Sequence, residues 1–157
     1  SGKVTVKVSG VTATNSPIFV SSTNFKNSSQ QLALTQFSGS YTGEFVYRDA
    51  KDSLATPSTG SVVVSFNGNN YTSQPANKGF PLGGNGTYTI DQNTSTITFI
   101  DKNSWQNETN MDLVLTGTYN CYYYKLESQS NSTEATNNLV LWKTTPTRLI
   151  YYNLSIK

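Results

Sequence analysis

"FSGSYTGEFVYRD", residues 37–49, decides the fold, because apolar and polar side chains alternate along it with a period of two. Such alternation predicts a β-strand with one face buried and the other in solvent. Glycines stand among the aromatic rings of the apolar face, and they allow the sharp bending that the wall of a barrel requires. That face carries Phe37, Gly39, Tyr41, Gly43, Phe45 and Tyr47.

The chain beyond residue 49 repeats this alternation in short runs separated by Gly and Asn turns, as in Asn67-Gly68, which suits a tight hairpin. Without crossover helices between them, such runs predict an antiparallel meander. The last run is a natural partner for residues 37–49, and their pairing would close the sheet. We therefore predict an all-β fold, an antiparallel up-and-down β-barrel built from residues 37–49, 61–66, 71–74, 86–90, 95–100, 111–128, 139–143 and 147–157.

Residues 1–36 form an N-terminal extension that we expect to pack on the barrel of residues 37–157. Alternating valines, Val4 to Val8, predict an extra strand, and residues 18–20 a second short one. "SSQQLALTQF", residues 28–37, is the one predicted helix, with a serine cap and an apolar side.

Composition and charge narrow the class of partner. The chain has 157 residues, of which 13% are charged, about half the usual share. Its richness in Asn, Ser, Thr, Gly and Tyr is typical of an extracytoplasmic β-protein. The net charge is +2 and the charges are dispersed, so we expect no nucleic-acid partner. No run approaches the roughly 20 apolar residues of a membrane span.

The sequence offers little chemistry for catalysis. It has no histidine, so Cys121 lacks the usual base for a nucleophilic thiol, and its parity with Tyr119 predicts a small core-facing residue. Residues 101–112 place Gln106 where a calcium loop needs glycine, so we expect no metal. No cofactor fingerprint occurs. We expect no enzyme. The carboxylates that paired acid–base chemistry would use are Glu44, Asp49, Asp101, Asp112 and Glu127, and that chemistry requires two such groups held in a demanding geometry. Asp49, Asp91 and Asp101 instead stand where strand ends and turns need polar caps.

The tyrosine-rich run "GTYNCYYYKL", residues 117–126, leaves alternatives open for each of its two faces. Tyr119 and Tyr123 share one face of the strand, and Tyr122 and Tyr124 the other. Rings on the inner face either fill the core or line a cavity with hydroxyls for a ligand. Rings on the outer face either cover their neighbours, stack on sugars or meet a partner.

Several segments resemble the lipocalin-like barrels of secreted bacterial lipoproteins, over about residues 37–157. Gly-Thr-Tyr, a hairpin, Ile-Thr-Phe, an acidic residue and a Trp follow one another in residues 86–105, and Leu-x-Leu-x-Gly-x-Tyr leads into the tyrosine-rich run. Gly39-Ser40-Tyr41 resembles the Gly-x-Trp start of lipocalins, with Tyr in place of Trp. The resemblance implies a lipocalin-like barrel that is exported to the bacterial cell envelope. It also implies that the protein is attached to a membrane only through a lipidated cysteine upstream.

The leading functional hypothesis is non-catalytic binding of a small apolar or amphipathic molecule inside the barrel. A surface glycan-binding or adhesion module is the alternative, with Tyr122, Tyr124, Tyr151 and Trp105 as its rings. A third reading is a structural envelope protein that docks to a partner through residues 1–36. The residues expected to line an interior site are Tyr41, Phe45, Tyr47, Tyr88, Phe99, Trp105, Tyr119 and Tyr123.

Overall fold

A computed structural model of the protein describes residues 29–52, 56–76, 80–126 and 135–156. These residues form nine strands and one 3-10 helix, and they include no helix long and apolar enough to cross a bilayer. The elements are β1 (Ser29–Gln31), β2 (Gly39–Asp49), β3 (Ser58–Asn67), β4 (Asn70–Pro75), β5 (Gly84–Asp91), β6 (Thr96–Asp101), the 3-10 helix (Met111–Leu113), β7 (Gly117–Leu126), β8 (Thr136–Thr144) and β9 (Arg148–Ile156).

Strands β2 to β9 form one closed antiparallel barrel in which each strand pairs with its neighbours in the chain. The seam joins β2 to β9, in register from Thr42 with Ser155 to Asp49 with Arg148. The predicted up-and-down barrel and its closing pair are therefore confirmed. Gly68 has a φ of +58° in the β3–β4 turn, as the Asn67-Gly68 hairpin requires.

The predicted helix at residues 28–37 is wrong, because the described part of this stretch is a strand followed by an irregular crossing segment, residues 32–38. Strand β6 pairs only with residues 117–120 of β7, and β1 occupies the same edge further along, opposite residues 124–126. A free strand edge offers backbone hydrogen bonds that a short isolated helix cannot match. The predicted strands at residues 4–8 and 18–20 lie outside the described residues.

The crossing segment closes one end of the barrel. Leu32 N donates to Tyr123 O (2.8 Å), and Phe37 N donates to the Tyr88 hydroxyl (3.0 Å). Leu34 and Phe37 are buried in the same core as the barrel's inward side chains. This part of the N-terminal extension is thus built into the barrel core.

The predicted long strand at residues 111–128 is interrupted. Met111–Leu113 form the 3-10 helix, and the strand begins only at Gly117, whose φ is +83°. Leu82 N donates to Leu113 O (2.8 Å), so this segment pairs with the β4–β5 connection at the other end of the barrel. The bend at Gly117 turns the chain from that end into the wall.

Candidate binding site on the outer face of the barrel

Inside the barrel, most of the predicted lining residues pack against one another. Phe99 contacts the rings of Tyr71, Tyr88 and Tyr119 with centroid distances of 5.0, 6.1 and 5.9 Å. Similar contacts make one continuous chain of rings along the interior. The predicted residues Tyr41, Phe45, Tyr88, Phe99 and Tyr119 are all 0–3% exposed. Their aromatic surface is already occupied by neighbouring rings.

The other three predicted residues lie towards the two ends of the barrel. The Tyr47 hydroxyl accepts hydrogen bonds from Arg148 Nε (2.8 Å) and Asn110 Nδ2 (3.1 Å). The Tyr123 hydroxyl lies 3.3 Å from that of Tyr41, at the end closed by the crossing segment. Trp105 is partly buried and does not stack with the interior rings: its Nε1 donates to Asp101 Oδ1 (3.0 Å). The structure therefore does not bring all eight residues to one surface.

Two interior tyrosines have buried hydroxyls that make no hydrogen bond of standard geometry with the described residues, although the two groups lie close enough to affect each other's pKa. Tyr119 and Tyr152 are both fully buried, and their rings meet edge to face at 5.9 Å. Tyr71 differs, because its hydroxyl donates to Leu115 O (2.6 Å). Burial raises the pKa of all three phenols above the usual value, so they stay protonated. Lys143 Nζ lies 4.8 Å above the Tyr119 ring.

Cys121 and the turn carboxylates have structural surroundings. Cys121 is 3% exposed, which confirms its core-facing position, and burial raises the pKa of its thiol to about 12. Asp49, Asp91 and Asp101 each accept a backbone N–H from two residues further along the chain. These bonds confirm their predicted role in capping turns. No group of three or more metal-ligating side chains occurs among residues that the structure describes.

The outer face of the barrel carries a polar groove of about 560 Å³ over strands β8, β9, β2 and β3. We call it the outer groove. Its lining consists of one carboxylate, two amides, three hydroxyls and two glycines: Glu44, Asn138, Asn153, Thr59, Ser61, Ser155, Gly43 and Gly60. Alternation along the strands turns the polar members away from the core, because their neighbours, such as Phe45 and Leu154, fill it. Asn138 is nevertheless only 7% exposed, and its Nδ2 donates to Thr136 O (3.1 Å).

Strand register links the outer groove to the exposed side of the tyrosine-rich run. One row crosses five neighbouring strands, because Tyr122 opposes Val140, Val140 opposes Asn153, Asn153 opposes Glu44 and Glu44 opposes Ser61. A groove residue, Asn138, opposes Tyr124 in the next row. The Tyr122 and Tyr124 rings stack at 5.3 Å with an interplanar angle of 29°.

A third tyrosine lies beside this row. Tyr151 is two residues before Asn153 on β9 and faces the same side of the sheet. Burial raises the pKa of the Tyr151 hydroxyl, and the nearby Tyr124 and Glu44 raise it further. We call Tyr122, Tyr124 and Tyr151 the tyrosine rim. Register places the rim beside the groove, and Tyr151 lies close enough to Glu44 for that carboxylate to raise its pKa.

The rim and the outer groove together combine aromatic surface with neutral hydrogen-bonding groups and one carboxylate. An aromatic face suits apolar C–H surface, whereas amides, hydroxyls and a carboxylate suit hydroxyl groups. Sequence reasoning found the rim tyrosines but missed the amides and hydroxyls of the groove. The alternation of β9 could have predicted part of the groove, because it places Tyr151, Asn153 and Ser155 on the same outer face.

No known protein family, curated protein or solved structure matches the chain. The fold defines the class as an eight-stranded antiparallel β-barrel. The lipocalin-like resemblance stays a prediction from the quoted residues.

Proposed function

We propose that the protein is a non-catalytic carbohydrate-binding module whose site is the outer groove with its tyrosine rim. The observation that carries the proposal is the five-strand row from Tyr122 through Asn153 and Glu44 to Ser61. This row puts an exposed aromatic ring and a set of hydrogen-bonding side chains on one continuous surface. A sugar presents the complementary pattern, with C–H groups on its face and hydroxyls at its edge.

The chemistry of the row explains how such binding works. Tyr122 is 38% exposed, so its ring is available to cover the apolar face of a sugar ring. Side-chain amides donate and accept at once, and a carboxylate accepts two or more hydrogen bonds, which suits vicinal hydroxyls. Each bond replaces one to water, so its net contribution is about 1 kcal/mol. Affinity then depends on several such contacts acting together.

The test is titration calorimetry of the folded protein against glycans first identified on a glycan array. We expect Tyr122→Ala to weaken binding about tenfold, which corresponds to the loss of about 1.4 kcal/mol from one aromatic contact. Ile100→Ala is the control, because Ile100 is also an exposed apolar side chain but lies on β6 and does not line the groove. An array without hits, or equal losses in the two variants, would refute the proposal.

A second candidate function is the binding of a small apolar or amphipathic molecule inside the barrel. The unpartnered hydroxyls of Tyr119 and Tyr152 favour it, because buried polar groups normally have a partner. Displacement of a fluorescent fatty acid, with native mass spectrometry, tests this candidate. If Tyr152→Phe weakens binding and Tyr122→Ala leaves it unchanged, the ligand binds inside the barrel. If Tyr122→Ala weakens binding and Tyr152→Phe leaves it unchanged, the ligand binds in the outer groove.

We also infer an extracytoplasmic location, because the low charge and the Asn, Ser and Thr content are typical of exported β-proteins. The measurement is protease accessibility of the full-length protein on intact cells. Full protection on intact cells, with digestion after lysis, would contradict a cell-surface location, and recovery in the cytoplasmic fraction would contradict export altogether.

A further inference from the structure

The tyrosine rim and the outer groove follow one another across the strands, with the aromatic ring at one end and the hydrogen-bonding side chains towards the other. Tyr122 is on β7, and Asn153, Glu44 and Ser61 follow on β9, β2 and β3. Neighbouring strands are about 4.8 Å apart, so four steps from β7 to β3 cover roughly 19 Å along the outer wall. The wall curves over this path, because β7 and β3 are four strands apart in either direction round the closed barrel. A ligand that meets both the ring and Ser61 must therefore be extended, run across the strands and follow the curve of the wall.

The lining of the groove is also selective by charge. Glu44 is the one charged side chain among the eight lining residues, and it is exposed. No lysine or arginine is among those eight. A carboxylate on the ligand would therefore meet a like charge without a compensating cation among those eight residues. Repulsion of this kind is a common source of specificity.

From these two features we propose that the ligand is an extended oligosaccharide, uncharged or carrying amino groups, laid across the strands from Tyr122 to Ser61. This inference rests on the proposed function and names the class of glycan for the same site. Tyr122 covers a sugar ring at one end of the chain, while Asn153, Glu44 and Ser61 bind hydroxyl or amino groups towards the other. Uronic-acid oligomers are rejected.

The first experiment varies ligand length. Calorimetry with a neutral glucan series of one to six units should show affinity rising over the first few units and then levelling off. Tyr122→Ala should lower affinity for the long oligomers about tenfold and leave that for the shortest almost unchanged. A general loss of folding would lower both alike, so this difference separates a binding role from a structural one.

The second experiment varies ligand charge at fixed length, with amino, neutral and uronic-acid oligomers. At low salt we expect the amino oligomer to bind about thirtyfold more tightly than the acidic one, because a charge about 4 Å from Glu44 contributes about 1 kcal/mol of attraction in the first and of repulsion in the second. The preference should fall at 1 M salt, where the Debye length is about 3 Å. Glu44→Gln should abolish it, and Glu108→Gln, an exposed glutamate that does not line the groove, should preserve it.

The outcomes separate the two proposals. Equal affinity for one and six units, or a charge preference unchanged in Glu44→Gln, would overturn this inference while carbohydrate binding stands. Tighter binding of uronic-acid oligomers would overturn it as well. Failure of every oligomer, charged or neutral, would overturn the proposed function itself.

Discussion

The backbone of Gly43 on β2 lies against the carbonyl of Asn153 on β9 so closely that a Cβ on Gly43 would overlap the Asn153 oxygen. Both residues belong to the seam that closes the barrel, and both line the outer groove. Because the obstacle is backbone, a side chain at position 43 can be accommodated only if the two strands move apart. Glycine at position 43 thus allows β2 and β9 to approach closely at the seam, and this close approach forms part of the groove.

We expect Gly43→Ala to lower the free energy of unfolding by at least about 2 kcal/mol, because added atoms force a shift in packed backbone. Chemical denaturation measures the effect. Thr42→Ala is the control, since Thr42 is exposed on the same strand and its change should cost about 0.5 kcal/mol or less. Equal stability of Gly43→Ala and the parent protein would contradict the overlap at the seam.

The ring chain gives a second prediction, centred on Phe99. Its ring contacts four others and is 1% exposed, so Phe99→Ala leaves a cavity and should cost about 3–5 kcal/mol. Phe99→Leu should cost less, since it refills part of the volume. Urea midpoints of both variants provide the measurement. A loss below about 1 kcal/mol for alanine would mean that the interior is not packed as described.

The buried hydroxyls give a third prediction in which two similar changes have opposite effects. Tyr152→Phe removes a buried hydroxyl that makes no hydrogen bond of standard geometry, so it should be neutral or stabilise the fold by about 1 kcal/mol. Tyr71→Phe removes a donor to Leu115 O and should destabilise the fold by about 1–3 kcal/mol. Thermal unfolding of the two variants under one condition compares them. Destabilisation by Tyr152→Phe would show that its hydroxyl is bonded in solution.

Alkaline pH should destabilise the fold. Burial raises the pKa of the Cys121 thiol to about 12, and it raises the pKa of Tyr41 and Tyr71 above the usual value of about 10. The unfolded chain therefore loses these protons at lower pH than the native state does. Their stabilising effect is complete below about pH 8.5 and declines as the pH rises towards their native pKa values.

Urea unfolding between pH 8 and pH 11 measures this decline, and absorbance at 295 nm follows tyrosinate formation. The buried phenols should ionise together with unfolding. A thiol reagent at pH 8 should modify Cys121 only in denaturant, because the folded thiol is both buried and protonated. Rapid modification of the native protein would contradict its place in the core.

The sequence was sufficient to predict the barrel because its strands alternate so regularly. Tyr41 and Phe45 against Thr42 and Glu44 already specify which side of β2 is buried. The helix predicted at residues 28–37 is wrong for a reason that cannot be read from the local sequence. The partner of β1 is the far part of β7, which β6 leaves unpaired.

The candidate site was predicted only in part, for a similar reason. The rim tyrosines stand close together in the chain or on one recognisable strand face. Asn138, Asn153 and Glu44 come together only because β8, β9 and β2 are neighbours in a particular register. A shift of one residue in either pairing would move these side chains to the opposite face. Long-range register, not composition, thus creates the outer groove.

Pairing of β1 with β7 joins Ser29 to Leu126, and the seam joins Tyr47 to Ile150. On the ribosome, an early segment must therefore wait for partners translated about a hundred residues later, which takes roughly 5–20 s at usual elongation rates. During that interval one edge of β2 has no partner strand, so its free backbone N–H and C=O groups can pair with another chain and cause aggregation. Nascent chains released before β9 emerges should accordingly need chaperones or be degraded.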